Sequence, residues 1–471
     1  MRKIFVNGKE IKVEKCRVSA IPFNVWWKGK QRPIEQSEEA YFASFRLAEK
    51  ATVRIEYLSG IRGEIAIRPL SKGVNYWLDG NAVVFEISAE GQYVIEDGED
   101  RNAFHLFVNK DEDLAQKYAY STVFGKGEHF VGKVEVKSGD RIYIDDGAVV
   151  HGCFLGKGVK DVVICGYGII DDGEEERRSM HCYEDYTNGC LKFYESSDIK
   201  VEGVILRDSA IWVCNLFDCE DVVLDGIKIV GHWKYNADGI DILNSRRVTF
   251  KNSFIRAFDD AITIKGIVQH KEKDVEDIFV DGCVLWCGWG RTLEIGLETV
   301  ARNYKNIIFK NCDLIHNSAV ALDVQSGDYA LIDRLLFENI RVEYQKYTLP
   351  EVIQNPEEKV YDGYGKPFIP KLISIDNPYY LINGLDYEWY DEELKKVREG
   401  KMGGLKNCIF RNITAVGETK NGELPEIFIN NSEPFEMGEV VIDNLTIFGE
   451  KITKEKANLK GNKIDKVKFK G

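Results

Sequence analysis

The chain has 471 residues, 44% of them hydrophobic, which is enough to bury a large core and to form more than one domain. Its net charge is −14 with a sequence pI near 5.2 and no Lys/Arg block, so nucleic acid and anionic membrane surfaces are poor partners. No stretch approaches the ~20 apolar residues of a membrane span, and Met1–Glu10 lacks an apolar signal core. The cysteine count, eleven, is odd and has no disulfide-framework spacing, so the sequence predicts reduced thiols and a cytoplasmic location.

Residues 1–115 alternate short strands and turns without a longer period, which predicts a small β-sandwich-like domain. Its expected role is to cover the apolar open end of the structure that follows. Trp26, Trp27 and Arg32 make sugar binding the sharper alternative.

From 116 to 471 a single unit recurs. A short strand ends at Gly203, Gly226, Asn252, Gly282, Asn311, Asn339, Asn412 and Asn444, with spacings of 23, 26, 30, 29, 28, 73 and 32 residues. A period of that length calls for a solenoid. Gly and Asn tolerate left-handed backbone, and Asn can bond along a stack. A second apolar strand precedes most of these turns, as in Trp212–Leu216, Gly239–Ile242, Ala261–Ile264, Leu293–Ile295 and Val320–Leu322. Two or more short strands per coil predict an all-β chain whose main domain is a right-handed parallel β-helix. The regular Leu frame and helical segments of a leucine-rich horseshoe are missing.

Chemistry concentrates on three consecutive coils. Asp260 follows Asp238 by 22 residues, and aligning the strands puts Trp212, Asp238, Asp260 and Arg291 in one column, with Asp259 beside it. Rungs of a parallel sheet lie ~4.8 Å apart, so the carboxylates repel and at least one pKa rises. An acid kept protonated beside ionised neighbours is what glycosidic cleavage requires. Taken alone, an Asp-Gly at a solenoid turn is structural, and three acids also suit calcium. Trp212, Trp233, Tyr235, Trp286 and Trp289 flank the acids, where sugar faces could stack. His181 and His232 lie within reach of the same region. Cys283 and Cys287 lack a second pair or a His at zinc spacing, and no metal or organic cofactor is expected.

Residues 345–405 interrupt the period and are rich in Tyr, Pro and charge, which predicts a lid or interface insertion. A lid closing one end of the groove would make an enzyme exo-acting. Homo-oligomerisation stays open.

The motifs resemble the polygalacturonase family of glycoside hydrolases. Asn236-Ala237-Asp238-Gly239 looks like that family's Asn-Thr-Asp-Gly, and Phe258-Asp259-Asp260-Ala261 through Lys265 looks like its Gly-Asp-Asp-Cys segment with the following lysine. The entry Val163–Asp171 and the stretch Trp212–Val222 are also similar, so the match covers roughly residues 120–345. The small β-domain ahead of the helix is more like the related dextranase and isopullulanase family. The resemblance implies Asp259 as general acid, Asp238 and Asp260 as the groups that hold and deprotonate water, and inversion at the anomeric carbon.

Two departures bear on the substrate. Gly290-Arg291-Thr292 stands where the family carries Gly-His-Gly, and Ala321-Leu322-Asp323 aligns with its carboxylate-binding Arg-Ile-Lys. A lost cation and a gained acid disfavour a uronic acid. The expectation is therefore an inverting glycoside hydrolase, exo-acting on a short neutral oligosaccharide, with Trp212, Trp233, Lys265, Arg291 and Asp323 binding substrate. A galacturonidase acting on pectic oligosaccharides, a β-helical lyase or epimerase, and an inert carbohydrate-binding solenoid are the alternatives.

Overall fold

Strand Ala51–Tyr57 buries every second residue, the pattern of a sheet with one face in a core and the other toward water. It is the centre of a five-stranded sheet that pairs Lys9–Ile11, Arg2–Val6, Ala51–Tyr57, Ala82–Ile87 and Tyr76–Asp79 in that order. A second sheet orders Glu14–Ser19, Ser37–Leu47, Phe104–Lys110, Gly91–Asp97 and Ile65–Arg68. The structure, a computed structural model, describes all residues except 1, 21–31, 99–101, 175–188, 272, 346–368, 378–402 and 433–434.

The second sheet is buried on both sides. Phe104, Leu106 and Val108 face the first sheet, while Phe107 turns the other way into a cluster with Val230, Phe254, Val284 and Trp286 of the main domain. The arrangement is three-layered, sheet on sheet on solenoid.

The main domain is a right-handed parallel β-helix, a stack of 33 strands among the described residues. A full coil has three strands, for example Ile240–Leu243, Arg246–Lys251 and Phe254–Ala257, each contributing to one face of the stack. Register is strict on the first face, where Cys214, Ile240, Ile262, Leu293, Leu322 and Ile373 lie one above another. The inward residues make one continuous core, within which Phe309, Phe337 and Phe410 stack at 4.9 and 4.8 Å between centroids.

The Gly/Asn turn is left-handed throughout, with φ between 52° and 60° at Asn252, Asn311, Asn339, Asn412 and Asn444. The asparagines also bond along the stack, Asn339 Nδ2 donating to Asn311 Oδ1 at 3.0 Å, Asn412 to Asn339 at 2.9 Å and Asn444 to Asn412 at 2.8 Å. Each amide satisfies the one below it, so a turn residue doubles as a register pin.

Among the described residues the N-terminal domain covers a side of the helix, where the sequence expectation was its open end. It packs along the third face, against the outward residues Val149, Ile169, Ile205, Val230, Phe254, Val284 and Ile315 of successive coils. The first coil is left open, with Val123 59% and Phe130 70% exposed. Apolar residues on both sides of the third-face strands demanded a cover there, and the sandwich supplies it. No helix among the described residues is long and apolar enough to cross a membrane. The ten described cysteines are free, and all but Cys153 are buried.

Candidate active site

The acids sit where the chain turns onto the first face, Asp238 and Asp260 two residues and Asp259 three residues before the strand that follows. Val213 N–H donates to Asp238 O at 3.0 Å, Gly239 N–H to Asp260 O at 2.8 Å and Ala261 N–H to Arg291 O at 2.9 Å. These bonds stack Trp212, Asp238, Asp260 and Arg291 on four consecutive rungs, the column read from the sequence. Asp259 is held to the side, because Ala237 O accepts from both Phe258 N–H and Asp259 N–H, at 3.2 and 3.3 Å.

Two glycines make room for this geometry. A Cβ on Gly290 would lie 2.6 Å from Asp259 Oδ1, closer still to Asp260 Oδ1 and 2.7 Å from Asp260 N, so both carboxylates converge on the space a side chain would fill. A Cβ on Gly239 would overlap Ala261 O and meet Ile255 Cγ2 at 2.6 Å. The Asp-Gly pair is thus a packing requirement as well as a motif.

Within the strands lies a second outward row, of which sequence reasoning singled out Asp323 alone. Asn215, Asp241, Thr263, Glu294, Asp323 and Ser374 stack in register, and all are buried. Two cations, Lys265 and Arg291, form ion pairs with these carboxylates among the described residues. Lys265 Nζ lies 3.4 Å from Asp238 Oδ2, 3.4 Å from Asp241 Oδ1 and 4.4 Å above the Trp212 ring. The Arg291 guanidinium is 3.5 Å from Asp323 Oδ2 and 3.9 Å from both Asp260 Oδ1 and Glu294 Oε1. Among the described residues, both Glu294 oxygens, Asp323 Oδ1, Asp241 Oδ2, Asp238 Oδ1 and Trp212 Nε1 are buried without a hydrogen-bond partner.

Charge crowding has the expected result. Burial, reinforced by Asp260, pushes the Asp259 carboxyl up to about 8. Asp238 is driven well above its ordinary value by burial and by Asp241, against the pull of Lys265. Asp241 rises to about 7 and Asp323 to about 6, both through burial, and burial together with Asp260 takes Glu294 well above the carboxylate range. Asp260 is supplied differently: Arg291 N–H donates to its Oδ1 at 2.7 Å. A carboxyl that keeps its proton near neutral pH, as Asp259 does, with a second acid beside it is the arrangement that acid–base cleavage needs.

The other predicted residues separate. Trp212 joins the column. Trp233 is 7% exposed, and its carbonyl accepts from Arg32. Tyr235 and Trp289 pack with Phe258 beneath the catalytic turns. Trp286 does not face the cleft, since it is covered by the N-terminal domain, with the Arg256 guanidinium 3.7 Å and the His316 ring 4.1 Å away. His232 is buried, and burial pulls it down to about 3, so it is an uncharged core imidazole. Cys287 donates to Asp259 O at 3.3 Å, bracing the acid's backbone. Among the described residues, no group of three or more His, Cys, Asp or Glu is placed to hold a metal. Trp26, Trp27, His181 and most of segment 345–405 lie outside the described residues.

Residues 107–361 match the family model described as Glycosyl hydrolases family 28. A protein of Arabidopsis thaliana named probable polygalacturonase is 24% identical over 196 residues, 39% of this chain and 42% of the relative. One of Aspergillus oryzae named probable rhamnogalacturonase A is 22% identical over 159 residues, 34% of this chain and 32% of the relative. The chain therefore spans less than half the length of either relative. Dex49A from Penicillium minioluteum superposes with a TM-score of 0.68 at 12% identity, covering 99% of this chain and 93% of its own. A hyperthermoactive exopolygalacturonase from Thermotoga maritima gives 0.50 at 14% identity, over 72% of this chain and 86% of its own. At these identities the structural likeness carries the fold, N-terminal domain included for Dex49A.

Proposed function

The chain belongs to glycosyl hydrolases family 28, and from that premise we propose that it hydrolyses glycosidic bonds with inversion, acting on short neutral oligosaccharides. The observation that carries this reading is the convergence of Asp259 and Asp260 over Gly290, with Asp238 on the adjoining rung. Asp259, protonated at neutral pH, gives its proton to the glycosidic oxygen as the C–O bond breaks. A water held between Asp238 and Asp260 attacks the anomeric carbon from the opposite side, and Asp260 takes its proton. Asp260 then releases its proton to solvent and Asp259 regains one, which restores the starting state.

Substrate charge follows from the two outward rows. Lys265 and Arg291 already face six carboxyl groups between them, Asp238, Asp241 and Glu298 for the first and Asp260, Glu294 and Asp323 for the second. A uronate would bring one more negative charge, and two like charges 4 Å apart at an effective dielectric of ~20 cost about 4 kcal/mol. Sugar hydroxyls instead can donate to both Glu294 oxygens and to Asp323 Oδ1, which lack donors among the described residues. Trp212 offers a ring face to the same space.

The competing reading is a uronate-specific enzyme, favoured by the names of the two sequence relatives. Matched neutral and uronic oligosaccharides separate the two through kcat/KM. The neutral member should win by at least ~10-fold, and Asp323→Lys should narrow the gap. A clear preference of the wild type for the uronate refutes the neutral assignment. The buried free cysteines suit a reducing compartment, and cytoplasmic location is part of the proposal.

A further inference from the structure

Arg32 belongs by chain position to the N-terminal domain, yet it ends among the turns that carry the acids. The residue is 6% exposed. Two of its donors stay home, Nε to Gln36 Oε1 and Nη2 to Ser19 Oγ, each at 3.0 Å. Nη1 crosses the domain boundary and donates to the carbonyl oxygen of Trp233. The guanidinium face lies 4.7 Å from the Phe258 ring centroid and 5.9 Å from that of Tyr235. Trp233 and Tyr235 lead into Asp238, and Phe258 immediately precedes Asp259.

These acceptors are neutral, and burial lowers the guanidinium to about 10. Burying a cation on such terms is costly, whereas Phe42, Phe107 and Phe254 seal their part of the domain junction with apolar surface alone. A guanidinium offers what those rings lack: in-plane donors for a carbonyl and, at right angles, a flat face for an aromatic ring. It can therefore fix the 233–238 turn and the 258–260 turn relative to each other. The same turns are also tied by Ala237 O, which accepts from Phe258 and Asp259 N–H at 3.2 and 3.3 Å, and by Gly239 N–H donating to Asp260 O at 2.8 Å. On its far side Phe258 stacks on Trp289 at 5.7 Å with 22° between planes, so its ring is held between Trp289 and Arg32.

We propose that Arg32 is a positioning residue for catalysis, through which the N-terminal domain sets the place of Asp259 relative to Asp238 and Asp260. The inference rests on Asp259 being the general acid. It also gives the docked domain a task beyond covering the third face.

The test compares Arg32→Met, Arg32→Lys and Asp259→Asn in the full chain, on a hydrolysed oligosaccharide and on the dinitrophenyl glycoside of the same sugar, whose leaving group needs no proton. A misplaced acid costs on the order of 30–100-fold in kcat on the oligosaccharide, with KM changed less than about threefold, and under about fivefold on the activated glycoside. Arg32→Lys, which keeps the charge and one donor but not the plane, should fall between wild type and Met. A purely structural residue would lower the thermal midpoint and leave both kcat values unchanged, or reduce them equally. Either result overturns the proposal. If Arg32→Met does not fold, Arg32→Lys decides alone: reduced kcat confined to the oligosaccharide supports the proposal, and wild-type kcat overturns it. Asp259→Asn separates the two readings, because retained turnover there refutes the acid assignment itself, whereas an inactive Asp259→Asn beside a fully active Arg32→Met refutes only the role of Arg32.

Discussion

Arg68 at the domain junction and Arg291 in the cleft each sit among several carboxylates, but their partners are held in different ways. Arg68 Nε donates to Glu96 Oε1 at 2.9 Å, its Nη1 bonds Glu343, Glu343 Oε1 accepts from Leu70 N–H at 2.6 Å, and His316 contacts Glu96. Arg291 keeps its three carboxylates at 3.5–3.9 Å, and its Nε has no hydrogen-bond partner among the described residues. Burial would raise Glu96, yet His316 and Arg68 outweigh it and hold the carboxyl below its ordinary value. At Glu294 burial wins, reinforced by Asp260. Arg68 and its carboxylates are closely paired, as a structural cluster is; around Arg291 the bonds stay open among the described residues, which is the signature of groups that a substrate satisfies.

Breaking the cleft should cost activity without costing stability. Asp259→Asn removes the proton donor and is expected to lower kcat by ~10²–10⁴-fold, while the thermal midpoint holds or rises because a crowded acid is gone. More than about a tenth of wild-type turnover in the purified variant would end the assignment. In the wild type, kcat should fall as pH rises through about 8, where the Asp259 proton is lost.

The junction should behave in the opposite way. Arg68→Met leaves Glu96 and Glu343 buried without their cation, a loss of about 3–5 kcal/mol seen as a lower thermal midpoint, with kcat per folded molecule unchanged at 25 °C. Adding Glu343→Met should recover part of that loss. A midpoint unmoved by Arg68→Met would show that the junction is no better paired than the cleft.

Glu294→Gln gives the smallest and most discriminating effect. The folded state holds the Glu294 proton above ~4.3, where the unfolded chain has released it, so the wild type loses stability as pH rises beyond that point. The variant should therefore gain midpoint relative to wild type at pH 8, by the equivalent of about 1–2 kcal/mol, and little at pH 5. A lower midpoint at pH 8 would mean that Glu294 is an ionised, paired group like Glu96.

The two regions were unequally legible in the sequence. Columns on the first face follow from strand spacing alone, and so Asp238, Asp260 and Arg291 were placed together before any coordinates. Asp241 and Glu294 sit one step further along the same strands, flanked by the inward Ile240 and Ile242 or Leu293 and Ile295. A polar residue recurring between two core positions on three coils was the available signal. The junction was not readable, because an outward apolar residue such as Trp286 or Phe254 looks the same under a docked domain as beside a sugar. A near-continuous apolar run such as Val284–Cys287 is the signal of a strand buried on both sides, but it does not say what covers it. Arg32 was noticed only as a neighbour of Trp26 and Trp27; its reach to Trp233, 201 residues away, is a property of the docking alone.

The account stands or falls on where the water attacks. Early-time proton NMR of a neutral oligosaccharide during hydrolysis reads the anomer before mutarotation scrambles it. Water held at Asp238 and Asp260, opposite Asp259, gives the inverted anomer as first product. A retained anomer would contradict the account, because it requires one of these carboxylates to have bonded the sugar.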